Sequence, residues 1–113
     1  MTPRPEEQRA GMPLELAFEA EIWQHSGAGG WHFVTVPLAV ADEIRELAPE
    51  GRGFGSRRVT ASLGDSTWST SVFPDSNSGS FLLPIKQQVR RVHEVEAGDV
   101  VTVVLQVNVP DDS

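Results

Sequence analysis

Residues 81–107, FLLPIKQQVRRVHEVEAGDVVTVVLQV, decide the fold. The apolar run 81–83 reads as a short strand that Pro84 ends. Ile85, Val89 and Val92 follow at i, i+4 and i+7, which predicts a short amphipathic helix over 85–92 with Lys86, Gln87, Arg90 and Arg91 around its exposed side. The Gly98-Asp99 turn introduces residues 100–107, VVTVVLQV, a near-continuous β-branched run. Such a run must be buried on much of both faces, so the strand is expected to lie centrally in its sheet.

The same order of parts occurs upstream. Residues 33–38, FVTVPL, and 81–85, FLLPI, each read strand, Pro, short amphipathic helix, turn, β-branched strand. In the upstream copy the strand is 31–36, WHFVTV, and Pro37 opens a helix over 37–48 with Leu38, Ala41, Ile44 and Leu47 or Ala48 on one stripe. Asp42 and Glu43 suit the positive N-terminal end of that helix. Pro49 and Gly51 stop it, and the glycine-rich loop 50–56 leads to a third strand in which Val59, Ala61 and Leu63 alternate with Thr60 and Ser62. Gly64-Asp65 is a two-residue hairpin signal, 67–73 (TWSTSVF) returns as the fourth strand, and 74–80 (PDSNSGS) turns the chain into the downstream copy. Ahead of both copies, residues 14–23 alternate strictly, with Leu14, Leu16, Phe18, Ala20 and Ile22 on one face. This half-buried first strand is expected to form a long-looped hairpin with 31–36 across the turn 25–30, HSGAGG.

Six strands and two short helices without a βαβ rhythm predict a mostly-β fold: a small closed six-stranded antiparallel barrel, in which closure removes exposed edges and two half-motifs interlock. A chain of 113 residues suits one domain. Its expected extent is 14–108, with frayed tails at 1–13, where three Pro interrupt any apolar period, and at 109–113. Both halves lie in one chain, so no swapped partner is needed and a monomer is expected.

With 39% apolar and 22% charged residues the composition is that of a globular chain. The absence of cysteine excludes disulfides, thiolate metal sites and cysteine nucleophiles. The first residues lack the apolar run of a signal peptide, and no stretch approaches the ~18 apolar residues of a membrane-spanning helix, so the expectation is a cytoplasmic protein away from membranes. The net charge of −7 repels nucleic acid at long range. Six of the nine cations nevertheless fall in two stretches, Arg52, Arg57, Arg58 and Lys86, Arg90, Arg91, which read either as a solvated face or as one basic patch.

The segments GGWHFVTVPLAVADEI, RRVTASLGDSTWSTSVFPD and FLLPIKQQVRRVHEVEAGDVVTVVLQV, in that order, resemble the bacterial family of domain of unknown function nineteen-oh-five. The resemblance covers residues 14–107 and implies a double-split β-barrel; it brings no established activity. The last segment is also similar to the strand, Pro, helix, Gly-Asp, strand half of AbrB- and MazE-type barrels, which dimerise and bind DNA. In those patterns an apolar residue and a Gly usually end the helix, whereas here His93 and Glu94 stand in their place. A non-Gly residue at that point either costs roughly 1 kcal/mol or ends the helix differently.

No motif identifies a reaction. His25, His32 and His93 show no metal-ligand spacing, no G-x-S-x-G elbow is present, and Gly51, Gly53 and Gly55 precede a strand rather than opening a phosphate-binding helix. No catalytic residue, metal or cofactor is therefore expected. The hydroxyl-rich strands 59–63 and 67–73 offer plain sheet surface or a polar cleft; on alternation Trp68, Thr70 and Val72 share one face, and Ser69, Ser71 and Phe73 the other. The expected ligand site, if there is one, joins Arg58, Trp68, Ser71, Lys86 and Arg90, with Trp31 as an alternative floor, and takes a small anionic or aromatic ligand. The reading is thus a non-enzymatic binding or accessory domain; the alternative is a nucleic-acid-binding or regulatory module.

Overall fold

The computed structural model describes residues 13–27, 29–48 and 55–108. Of the expected frayed tails 1–13 and 109–113, all but Pro13, which opens β1 opposite Asn108, lie outside the described residues, as do most of the glycine-rich loop and Arg52. The elements are β1 (Pro13–Glu21), β2 (Trp23–Gln24), β3 (His32–Thr35), α1 (Leu38–Leu47), β4 (Arg57–Leu63), β5 (Ser66–Asp75), β6 (Ser80–Pro84), α2 (Gln87–His93) and β7 (Val100–Asn108).

The strands form one antiparallel seven-stranded arrangement in the order β1-β7-β4-β5-β6-β3-β2. This is an open half-barrel with two helices, not the expected closed six-stranded barrel. The extra strand arises at Ile22, whose backbone N–H donates to Asp99 O (2.9 Å) and whose carbonyl accepts from Gly98 N–H (2.8 Å). The chain there leaves its ladder with β7, and Trp23 and Gln24 pair instead with Phe33 and His32. The expected hairpin between 14–23 and 31–36 is reduced to those two residue pairs, while β1 runs its whole length along β7. Alternation specifies which face of a strand is buried, not which strand lies beside it.

β5 changes partner in the same way. It pairs with β4 from Ser66 to Val72 and with β6 from Phe73 to Asp75, two residues beyond its expected end. Pro74, which has no N–H to give to a ladder, sits just past the change. The two half-motifs interlock at β3 and β6, where Val34 faces Leu83. Two matching hydrogen bonds flank that pair, Val36 N–H to Phe81 O and Ile85 N–H to His32 O, each 2.9 Å. The strands that follow the helices, β4 and β7, pair with each other through Ala61 and Leu105. The repeat seen in the sequence is therefore a structural one.

The inner face carries one core in which Phe18, Ile22, Ile44, Val72, Phe81 and Leu105 are buried. Each such side chain contributes about 1.5–3 kcal/mol relative to exposure. β7 lies between β1 and β4, second from one edge rather than central, and it buries only its inner residues; Thr102 and Gln106 are exposed. α1 buries Ala41 and Ile44, with Ala48 just beyond its end, whereas Leu38 and Leu47 of the expected stripe face solvent. Because Pro37 is the N-cap, the first turn holds no acid, and Asp42 pairs instead with Arg45 at 3.0 Å. α2 starts at Gln87, two residues later than expected, with Ile85 and Val89 buried and Val92 exposed. At its end Glu94 adopts the left-handed conformation (φ 54°, ψ 46°), and the N–H of Val95 donates to Arg90 O at 3.0 Å. A non-glycine residue thus takes the cap that glycine usually fills.

Candidate functional site

The five residues expected to share a site occupy different faces. Arg58 and Ser71 are opposite each other on β4 and β5 and point outward. Trp68 lies opposite Ala61 on the inner face and is 8% exposed, so the sheet itself separates it from Ser71 and Arg58. Lys86 and Arg90, at the start of α2 and within it, line a cavity beside β3. The alternation expected for β5 is observed, and the Ser62 and Thr67 hydroxyls make a cross-strand pair at 3.0 Å, as plain sheet surface does. Within the first cation cluster Arg58 is exposed, whereas Arg57 is turned inward. Arg57 is 6% exposed; its Nε–H donates to Ala48 O (3.3 Å), an NH1 donates to Gly55 O, and its guanidinium lies 5.5 Å from the Phe81 ring centre.

Two cavities adjoin one residue that the sequence raised only as an alternative floor, Trp31. On the outer face of β2, β3, β6 and β5, Trp23, Phe33, Leu82 and Phe73 alternate with the buried Val34, Leu83 and Val72. Their side chains line a groove of about 470 Å³. Trp23 faces Phe33 across the ladder, ring centres 5.2 Å apart, and its Nε1–H donates to Thr35 Oγ1 at 3.0 Å. Trp31 stacks on the same Phe33 at 6.1 Å and 12°. Trp31 is 57% exposed and Phe73 46%, while His25, Asp75 and Asn77 form the polar rim.

The loop that delivers Trp31 is shaped for it. Its carbonyl accepts from His25 N–H at 2.8 Å. Gly29 has φ +94°, and a Cβ there would lie 3.2 Å from Cδ1 and Nε1 of the indole, tighter than an ordinary side-chain contact, so the backbone packs closely against Trp31. The run HSGAGG supplies that close approach as well as the turn.

Beyond Trp31 lies a second cavity of about 480 Å³, lined among others by Gln24, Gly30, His32, Lys86 and Arg90. His32 Nδ1 is 2.7 Å from Gly30 O. A carbonyl only accepts, so Nδ1 carries the proton and Nε2 of the neutral ring is free to accept. Arg90 NH1 approaches that Nε2 at 3.5 Å, and Arg90 Nε–H donates to Ile85 O at 3.1 Å. The guanidinium is thus held through Nε by Ile85 O with His32 beside NH1, and at least three of its five N–H donors are left over.

A third group forms where the β4–β5 turn meets the end of α2. Ser66 Oγ is 2.9 Å from His93 Nε2, and Asp65 Oδ1 is 3.7 Å from the same nitrogen. In a relay the acid orients the ring through its other nitrogen. Here both groups converge on Nε2, so the cluster ties the turn to the helix.

Among the described residues no helix is long and apolar enough to cross a membrane. No curated protein matches the chain. Residues 18–105 match a family known by its sequence pattern, spanning β1 to β7 and thus both half-motifs and both cavities. The chain belongs to the family described as Domain of unknown function (DUF1905).

Proposed function

We propose that this domain is a non-catalytic binding module whose groove on β2, β3, β6 and β5 takes a small planar aromatic ligand. The observation that carries this reading is Trp31. More than half of its surface faces solvent, yet it is stacked on Phe33 and backed by Gly29, so an indole face is held in one orientation beside an apolar cavity. Exposed aromatic patches of this kind mark binding surfaces, and offset or stacked rings contribute about 0.5–1.5 kcal/mol beyond the area they bury. The volume falls within the roughly 300–1,000 Å³ of small-molecule sites.

The placement of the cations gives less support to a nucleic-acid module of the AbrB type. Arg57 is turned into the core, Arg58 stands on β4, and Lys86 and Arg90 lie at the far cavity. The two half-motifs complete each other within one chain, which supports a monomer.

The test is amide chemical-shift mapping with a panel of small aromatic compounds and neutral sugars. We expect planar aromatics to shift amides of Trp23, Phe33 and Phe73, and Trp31→Ala to abolish the effect. No shift from any aromatic compound, or equal shifts in Trp31→Ala, overturns the reading.

A further inference from the structure

We infer that the ligand is an aromatic acid: its ring occupies the groove and its carboxylate or phosphate reaches past Trp31 to Lys86 and Arg90. This rests on the binding reading above and specifies the chemistry of the occupant. Three observations carry it.

Trp31 is the shared wall of the two cavities, so one molecule that stacks on the indole has access to both. The second cavity has the opposite character to the groove: two cations and a histidine line it, and no carboxylate does among the described residues. On a chain of net charge −7 that is a local reversal of sign. The only described carboxylate at the groove, Asp75, belongs to the first cavity, which orients the ligand with its anionic group away from Asp75.

Arg90 is also prepared for an anion. Ile85 O takes its Nε–H at 3.1 Å, and its NH1 lies 3.5 Å from His32 Nε2. The remaining N–H groups have no acidic partner among the described residues, and a planar fork of this kind pairs with carboxylate or phosphate through two parallel bonds. Lys86, exposed just before α2, lines the same cavity and has no acidic partner among the described residues, so its ammonium is available to the same anion as a point charge.

The experiment is a calorimetric titration of the full chain with naphthalene-1-carboxylate, naphthalene-1-carboxamide and 1-naphthyl phosphate, with shift mapping of each complex. The acids are expected to bind about tenfold more tightly than the amide, the usual scale of one charge-assisted hydrogen bond, and to weaken as salt rises. Lys86→Gln lowers acid affinity several-fold and leaves amide affinity unchanged. Arg90→Gln has a larger effect, but Arg90 also holds Ile85 O, so Lys86→Gln is the decisive variant. The two acids distinguish a carboxylate ligand from a phosphate ligand.

Equal binding of acid and amide in the groove refutes the anion subsite and leaves the groove reading standing. No binding of any of the three compounds removes both. Acid binding that Lys86→Gln does not weaken refutes the assignment of the subsite. Sedimentation on the same samples covers the other occupant: self-association that Trp31→Ala abolishes would make the groove an interface between copies and overturn the proposal.

Discussion

Glu94→Gly should stabilise the protein. Glu94 ends α2 in the left-handed region, where a Cβ crowds the following carbonyl at a cost of roughly 1–2 kcal/mol. Glycine removes that cost but loses about 0.5–1 kcal/mol through the greater freedom of the unfolded chain. The same change removes a carboxylate from the negative end of the helix, which at an exposed site adds about 0.3–1 kcal/mol. The balance is close to 1 kcal/mol in favour of glycine, equivalent to about 4 °C in Tm for a domain of this size. The assay is urea unfolding of wild type, Glu94→Gly and Glu94→Ala, with an unchanged slope required of all three. Alanine removes the charge but keeps the Cβ, so the difference between the two variants isolates the backbone conformation. If Glu94→Gly is no more stable than Glu94→Ala, the left-handed cap is not what limits this helix end.

Gly64→Ala should destabilise the domain by about 1–3 kcal/mol in the same assay, because the residue combines φ +59° with a Cβ position 2.6 Å from His93 Cε1. Arg57→Met keeps much of the buried volume but leaves Ala48 O without its charged donor, which should cost about 1–3 kcal/mol; a variant as stable as wild type would show the guanidinium to be dispensable. Duplex DNA should give no mobility shift at low micromolar protein and physiological salt, since the first cluster's Arg57 is buried and the chain is acidic.

The legible part of the fold was set by local pattern. Alternation in 14–23 and 67–73 grouped Phe18 with the apolar face of its strand and Trp68 with Val72, the Gly64-Asp65 turn formed, and both short helices formed, the second from Gln87 rather than from 85. Partner choice was not legible. Ile22 belongs to the inward set of one strand by every local measure, yet two backbone hydrogen bonds to 98 and 99 make it the point where the chain changes ladders. The faces of the candidate site residues were not legible for a related reason. Proximity in sequence between cation clusters and hydroxyl strands says nothing of faces, and the β4–β5 sheet stands between Trp68 and Ser71. Lys86 and Arg90 did converge on one cavity, but beside Trp31, brought there by the pairing of β3 with β6. Trp23 was readable as an outward residue; the aromatic groove it lines was not, because its other walls come from three further strands.

The most direct test of the binding account is a crystal structure of the protein soaked with naphthalene-1-carboxylate. The account predicts the naphthalene ring packed between Trp31 and Phe73 over Phe33, and the carboxylate within hydrogen-bond distance of the Arg90 guanidinium. A ring bound elsewhere, or bound in the groove with its carboxylate turned toward Asp75 and solvent, would contradict it.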